Sequence, residues 1–466
     1  MPTIKMKLEQ NGPLLVALLA IFTTSMVADG IVPALPLLQR ELHASTDSMG
    51  WFYTAPMLSA VVTLPLIGKL AEVFSRQRIL LAILVVVCLG MLLSALAEHA
   101  PLLIFGQMLS GLSLSLFPLS VGLIRDSCSA NRIGPANALV GSLGAVAPMI
   151  GLLACGPIVE HFSLRWLFWG PCLMLLVSVI FMLMLPRRDV GKQREHIPVD
   201  WTGALFLSAA LGSGLLAISR ISESVWSDPV QIALFLGALF CGAVWIWHEK
   251  RVTQPLIALS LFSNRLVLAC GLCMLVAGYL IVSVSVASPL FAELGSEQGG
   301  LGASVAQVSG YFLAMSLAGM AVTPFIDRVE QRIGSRRLVM LAMLVLAATT
   351  AMTILLPSTT MSVTLAMAVI GAAFTAVLVE SMNVIAANFT VDEVTEISSL
   401  SWVMKSIGAT LGSQITACII ALGAGADMEM AQAAAVFHSL AVAALIGVAG
   451  IAAALLMPRQ RQPLGS

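Results

Sequence analysis

The sequence predicts an all-α membrane protein in which two six-helix bundles are joined through a two-helix insert, giving 14 transmembrane helices. An apolar composition, a count of membrane-length segments and an internal repeat support this prediction. Of the 466 residues, 59% are hydrophobic and only 10% are charged. Because soluble domains carry about 25% charged residues, this composition is typical of a polytopic membrane protein.

Fourteen apolar segments are long enough to cross a bilayer, which takes about 20 residues. They lie at roughly 13–38, 50–68, 78–97, 101–124, 135–157, 163–185, 201–220, 229–248, 265–291, 304–326, 337–356, 361–388, 399–423 and 434–457. With the N-terminus inside, only Arg40, Arg165 and Arg220 among the 24 Lys and Arg residues fall outside. This asymmetry follows the positive-inside rule. It predicts a multi-pass protein of the cell inner membrane with both termini in the cytoplasm.

A short basic turn occurs twice in the chain, each time between two apolar segments. Residues 65–78 read PLIGKLAEVFSRQR and residues 324–337 read PFIDRVEQRIGSRR, and they align without gaps at an offset of 259 residues. We name them the first and the second basic turn. Duplicated halves in a membrane chain are typical of transporters.

The repeat also predicts the domain organisation. Eight predicted helices separate equivalent points of the two turns, whereas two adjoining six-helix halves would separate them by six. Two extra helices therefore lie between the halves. The predicted domains are an N-terminal six-helix bundle at 1–186, a linker with two inserted helices at 187–264 and a C-terminal six-helix bundle at 265–466.

Several motifs, in this order and spacing, resemble the 14-span drug–proton antiporters of the major facilitator superfamily. The stretch GKLAEVFSRQR at 68–78 is similar to the superfamily's loop signature between helices 2 and 3. DGIVPALP at 29–36 resembles the helix 1 signature of the exporters, and SLRWLFWGP at 163–171 resembles the entry to helix 6. QPLI at 254–257 and LFSNR at 261–265 are similar to the stretch before helix 9.

The resemblance implies the major facilitator fold and a monomeric secondary transporter rather than an enzyme. It implies export of hydrophobic or amphipathic compounds by proton antiport with alternating access, as in multidrug efflux. No cofactor is expected beyond the proton gradient, and the expected partners are a lipophilic small molecule, protons and the lipid bilayer, with no nucleic acid or metal. The alternatives are a dedicated exporter of one natural product, siderophore or metabolite, and a proton-independent facilitator.

Two positions depart from the family pattern. In helix 4, QMLSG at 107–111 places Gln107 where the family signature has an arginine linked to proton coupling. In helix 5, the antiporter signature keeps its proline and one glycine in APMIGL at 147–152.

Carboxyl groups inside apolar segments are the predicted proton-coupling or substrate-binding residues. The chain has no P-loop of the form GxxxxGK followed by Ser or Thr, so an ion gradient is the expected energy source. A charged carboxylate is costly in a bilayer, so it can take up and release a proton there. Four residues are candidates for this site: Asp29, Gln107, Glu380 and Asn383.

Each carboxyl candidate has a structural alternative. Asp29 could instead bond to the polar face formed by Thr23, Thr24 and Ser25, or cap the helix break before Pro33. Glu380 could form an ion pair with Lys405, which lies at a comparable depth in helix 13.

The remaining candidates concern motion. By the resemblance, the first basic turn, with Gly68, Glu72, Arg76 and Arg78, latches the two halves on the cytoplasmic side. Arg125 and Asp126, at the inner end of helix 4, are further candidates for this gate. In helix 5, Gly144, Pro148 and Gly151 share a face on which small residues allow close helix approach and the proline kinks the helix. This face is either ordinary packing or a sealing surface between the halves.

Overall fold

The computed structural model describes most of the chain, and its regular structure there is helical. The described residues are 2–44, 51–52, 54–60, 63, 66–67, 70, 74–116, 119–120, 123, 130–185, 200–219, 228–252, 263–294, 300–355, 359–389, 391–424 and 429–457. They group into two compact units. Unit 1 is Met1–Ala44 with Ala55–Leu205, and unit 2 is Ser45–Thr54 with Phe206–Ser466.

The described helices are distributed along both units. Those that begin in unit 1 are α1 (Pro2–Gly30), α2 (Leu35–Glu41), α3 (Arg76–Ala95), α4 (Ala100–Ser110), α5 (Ala130–His161), α6 (Trp166–Met184) and α7 (Trp201–Ser219). Those of unit 2 are α8 (Pro229–Glu249), α9 (Arg265–Glu293), α10 (Val305–Ile333), α11 (Ser335–Leu355), α12 (Thr360–Asn388), α13 (Val391–Ala424) and α14 (Glu429–Leu455). Short 3₁₀ helices follow α1 at Val32–Ala34 and α4 at Gly111–Ser115.

The helices are suited to a membrane. Within the described residues, 11 helices are long and apolar enough to cross a bilayer, and two shorter apolar helices lie at Ala100–Ser115 and Val146–His161. The prediction of an all-α membrane protein is therefore confirmed. The predicted span at 50–68 lies largely outside the described residues, so the number 14 stays a prediction.

Polar side chains fix several helix starts. Ser304 accepts a hydrogen bond from the backbone of Gln307, whose side chain bonds back to Ser304, and Thr359 and Ser362 form the same capping box before α12. Asp228 caps α8 by accepting from the backbone N–H of Val230 at 2.9 Å. Each cap satisfies amide groups that the first helical turn leaves without partners.

The two units repeat the same helix pairings. In unit 1, α1 packs on α5 and α6, while α3 packs on α4 and α6. In unit 2, α9 packs on α13 and α14, while α11 packs on α12 and α14. Each pair in unit 2 corresponds to the pair eight predicted helices earlier, which is the offset that the basic turns give. Such correspondence is what an internal duplication produces.

Glycines bring the backbones of the central pairs together. A Cβ added at Gly151 of α5 would collide with the carbonyl oxygen of Met26 in α1. In unit 2, a Cβ at Gly408 of α13 would collide with the carbonyl oxygen of Leu275 in α9, and Gly412 meets Tyr279 in the same way. Without a hydrophobic driving force in lipid, such close backbone packing is what holds membrane helices together.

The helices α7 and α8 have a different environment. They meet through small residues, since a Cβ at Gly214 would lie 3.5 Å from the Cβ of Ala238. Large apolar side chains of α8 are mostly exposed, with Leu239 at 70% and Phe240 at 66%. These side chains are suited to contact with lipid, as expected of helices that flank a bundle.

We expect a methyl group at position 151 to destabilise the protein. Gly151→Ala should lower the free energy of unfolding by about 1–3 kcal/mol because α1 and α5 must separate to admit the Cβ. The control is Gly212→Ala in α7, where nothing lies within 4 Å of the added Cβ. This control should be neutral or stabilising by up to about 1 kcal/mol. Thermal unfolding of the purified protein measures both, and equal unfolding midpoints for the two variants would contradict the close crossing.

Candidate functional site

Several predicted site residues lie outside the described residues. They are Gly68, Glu72, Arg125 and Asp126 and the side-chain surroundings of Asp29 and Gly144. The backbone of Asp29 lies in α1, one residue before the helix ends at Gly30. The latch and the role of Asp29 therefore stay predictions.

The hydroxyl groups near Asp29 are committed to their own helix. Thr23 donates to the carbonyl oxygen of Leu19 and Thr24 to that of Ala20, each at 2.8 Å. An ionised carboxylate can only accept hydrogen bonds. Because both hydroxyl hydrogens are already donated to the backbone, Thr23 and Thr24 offer Asp29 no donor, which leaves Ser25 as the remaining hydroxyl of the predicted polar face.

Glu380 is buried in α12 without a polar partner. Its side chain is 1% exposed, and neither carboxyl oxygen has a hydrogen-bond partner. Most buried polar groups in proteins are hydrogen-bonded, so a carboxyl group without a partner calls for a functional explanation.

The carboxyl groups of Asp327 and Glu330, in the second basic turn on α10, lie close enough to repel a charge on Glu380. We name these three residues the carboxylate cluster. The neighbouring donors are already engaged: Asn383 donates to Asp327 at 3.2 Å and Ser335 donates to Glu330 at 3.1 Å. These contacts connect α10 with α12 and with the first residue of α11. Glu380 and Asn383 lie one turn apart on α12, and their shared role stays a prediction.

Lys405, the suggested ion-pair partner of Glu380, lies against aromatic rings. Its ammonium group lies 4.5 Å from the ring centroid of Trp402 and 5.7 Å from that of Phe374. The faces of aromatic rings carry negative charge density and attract cations, most strongly away from water. The aromatic rings of α12 and α13 thus contribute to holding the lysine, while the oxygens of Glu380 have no hydrogen-bonding partner.

Gln107 connects α4 to α3. Its amide nitrogen donates to the hydroxyl oxygen of Ser94 at 3.0 Å, and Ser94 donates to the carbonyl oxygen of Gly90 at 2.9 Å. A Cβ at Gly106 would lie 2.7 Å from that same carbonyl oxygen, so the two helices cross closely here. The amide therefore has a packing role where the family pattern has a charged group, and its predicted part in coupling remains a proposal.

Helix α5 runs without interruption from Ala130 to His161 through the half-buried Pro148. Gly151 faces α1 of the same unit. For this residue, the contact matches the packing interpretation of the helix 5 face.

The two basic turns differ in backbone conformation. In the second turn, Gly334 separates α10 from α11 with φ of 83° and ψ of 149°, a conformation that is accessible essentially only to glycine. Ser75 occupies the aligned position of the first turn with φ of −63° and ψ of 131°, which any residue can adopt. The first turn is followed by Arg76, half-buried, and Arg78, exposed. Serine is therefore unstrained at this position of the first turn.

A polar cluster in α13 was not predicted. Gln414 donates to the hydroxyl of Thr54 at 2.9 Å, and the hydroxyls of Thr54 and Ser413 bond to each other within unit 2. All three side chains are at most 1% exposed. The run TLGSQIT at 410–416, polar within an apolar segment, is the signal that could have revealed it.

Repeated units of membrane-length helices, with polar and ionisable side chains buried inside them, are typical of membrane transporters. The chain belongs to the Major Facilitator Superfamily, whose sequence profile matches residues 17–413. The predicted family resemblance is thus confirmed.

Curated relatives include drug-resistance proteins. The chain is 27% identical over 330 residues to the lincomycin resistance protein of Streptomyces lincolnensis, covering 70% of this chain and 66% of that protein. It is 23% identical over 327 residues to multidrug resistance protein 3 of Bacillus subtilis, covering 70% of this chain and 62% of that protein. The aligned region thus spans less than two thirds of either relative.

Solved structures share the fold. The nucleoside transporter NupG matches with a TM-score of 0.65 at 13% identity, covering 95% of this chain and 98% of that one. A bacterial homologue of the human lysosomal transporter Spinster matches with a TM-score of 0.65 at 12% identity, covering 96% and 97%. At these identities the likeness establishes the major facilitator fold alone.

We expect Gln107 and Ser94 to be coupled in stability. Gln107→Ala and Ser94→Ala should each destabilise the protein, and the double variant should cost less than the sum because one hydrogen bond is lost only once. The interaction free energy should be about 0.5–1.5 kcal/mol. Thermal unfolding of the three variants measures this cycle, and strict additivity would show that the bond contributes nothing.

Proposed function

We propose that this chain is a secondary active transporter of the inner membrane that exports hydrophobic or amphipathic compounds by proton antiport. Its family membership and the names of its curated relatives, one for lincomycin resistance and one for multidrug resistance, support efflux. The observation that supports coupling to protons is Glu380, a carboxyl group that is buried in α12 and has no hydrogen-bond partner on either oxygen. An intramembrane ionisable group is the usual mark of an ion pathway.

We assign the main coupling role to Asp29 and a second role to Glu380. Asp29 lies about 16 residues into the first apolar segment, hence roughly 24 Å along a helix. The hydroxyls of Thr23 and Thr24 donate to their own helix, so the structural alternative for this carboxyl group would rest on Ser25 or on capping before Pro33. The protein would then alternate access across the membrane, with the first basic turn as the cytoplasmic latch.

The finer architecture is part of the same proposal. The repeated helix pairings support two six-helix bundles with α7 and α8 as the insert, 14 spans in all. The distribution of Lys and Arg supports an orientation with both termini in the cytoplasm. The proposed unit of function is a monomer that needs no cofactor beyond the proton gradient.

A proton-independent facilitator is the second candidate. Gln107, bonded to Ser94 where the family pattern has an arginine, favours it because the group linked to coupling is replaced by a neutral packing contact. A dedicated exporter of one natural product, siderophore or metabolite is the other alternative. A panel of lipophilic cations, neutral antibiotics and organic acids separates these, since a dedicated exporter would move one chemical type only.

Replacing Asp29 should abolish coupled efflux. In liposomes with an internal pH dye, adding a transported compound should move protons through the unaltered protein but not through Asp29→Asn, because the amide cannot exchange a proton. Asp228→Asn is the matched control, since an asparagine also caps α8. Proton movement by Asp29→Asn at the unaltered rate would rule out its coupling role. Compound movement without protons through the unaltered protein would favour the facilitator.

A further inference from the structure

We propose that Glu380 and its neighbours Glu330 and Asp327 form a proton-exchange site at the end of unit 2 that carries the second basic turn. One proton resides on Glu380 and is exchanged with water through Glu330 and Asp327. This inference rests on the proposed proton antiport and adds two residues of the duplicated turn to it.

The environment of Glu380 favours its neutral form. Its side chain is 99% removed from solvent, and the donors nearest to it, the Ser335 hydroxyl and the Asn383 amide, are bonded to Glu330 and Asp327. Burial is the largest effect on Glu380, since an ionised carboxylate would lose its hydration there, and it would also face two further carboxylates. A bound proton removes both penalties.

The groups that face Glu380 come from several helices, and those of α9, α10 and α11 bring no positive charge. From α10 these are Asp327 and Glu330, from α11 it is the Ser335 hydroxyl, and from α9 it is the buried thiol of Cys270. Two basic residues of unit 2 contact aromatic rings. Arg328 lies 5.6 Å from the ring centroid of Phe325 on its own helix, and Lys405 of α13 lies over Trp402 and Phe374.

Exposure increases across the cluster. Glu380 is buried, Glu330 is half-buried, and Asp327 is exposed together with its partner Asn383. A proton leaving Glu380 therefore has carboxylate acceptors at successive depths between the helix interior and the surface. The hydrogen bonds from Ser335 to Glu330 and from Asn383 to Asp327 fix these acceptors in place.

The exchange also connects to the turn itself. Loss of the proton places a third negative charge beside the carboxylates that tie α10 to α11 and α12. Like charges in a region of low dielectric repel strongly. Deprotonation of Glu380 therefore weakens the hydrogen-bonded contacts of the second basic turn, and protonation restores them.

Infrared difference spectroscopy of the full-length protein in lipid tests this site directly. A pH change should reveal the carbonyl band of a protonated carboxyl group, and Glu380→Gln should remove that band. Glu330→Gln should move the pH midpoint of the band down by about 0.5–1 unit, because removing a neighbouring negative charge makes the proton easier to lose. Asp327→Asn should move it in the same direction, and less, because Asp327 is exposed. Asp228→Asn is the control, because Asp228 caps α8 and is not part of the carboxylate cluster. It should leave the midpoint unchanged.

Three results would overturn the proposal. They are a band that survives Glu380→Gln, a midpoint that is insensitive to both Glu330→Gln and Asp327→Asn, and a band that responds to sodium at constant pH, which would indicate a metal cation rather than a proton. The proton-flux assay in liposomes separates this site from the proposed antiport. Flux that depends on Asp29 but is unaffected by all three cluster substitutions would retain antiport and reject the exchange site. A titrating cluster without substrate-driven flux would retain the proton-binding site and reject the antiport.

Discussion

Close backbone contact between helices is the constraint on which both units depend. Inside a bilayer, burying apolar side chains against one another gains little over burying them in lipid, so helices must associate through packing and hydrogen bonds. Gly151 against Met26 in unit 1 and Gly408 against Leu275 in unit 2 provide this contact at corresponding helix pairs. The rest of each unit is arranged around these two crossings.

Much of the fold could be predicted because the features that indicate it can be seen directly along the sequence. Apolar length gives the spans and the repeated turn gives the duplication, and neither needs knowledge of packing. The surroundings of Lys405 could not be predicted in this way. Phe374 and Trp402 are 31 and 3 residues away along the chain, and the structure shows that both rings lie near its ammonium group. The spacing of three residues is compatible with the Trp402 contact, whereas the contact with Phe374 on another helix depends on how the helices pack.

The candidate site shows the same limit. The sequence singled out Glu380 because a carboxyl group is conspicuous in an apolar segment, and it singled out Gln107 because it replaces an expected arginine. It could not show that Gln107 would bond to Ser94, 13 residues earlier, or that Glu380 would lie beside Asp327 and Glu330. Helix packing decides both outcomes, and it leaves one polar side chain with a partner and the other without.

The glycine that separates α10 from α11 has a consequence for how the two copies of the basic turn could be exchanged. Gly334 adopts a conformation that a side chain would oppose, whereas Ser75 does not. Replacing the first turn by the second would put glycine at position 75, whose backbone torsion angles any residue can adopt. Replacing the second turn by the first would put serine at position 334, whose torsion angles are accessible essentially only to glycine. The two copies of the turn are thus not interchangeable, because the aligned residues differ in the backbone angle φ.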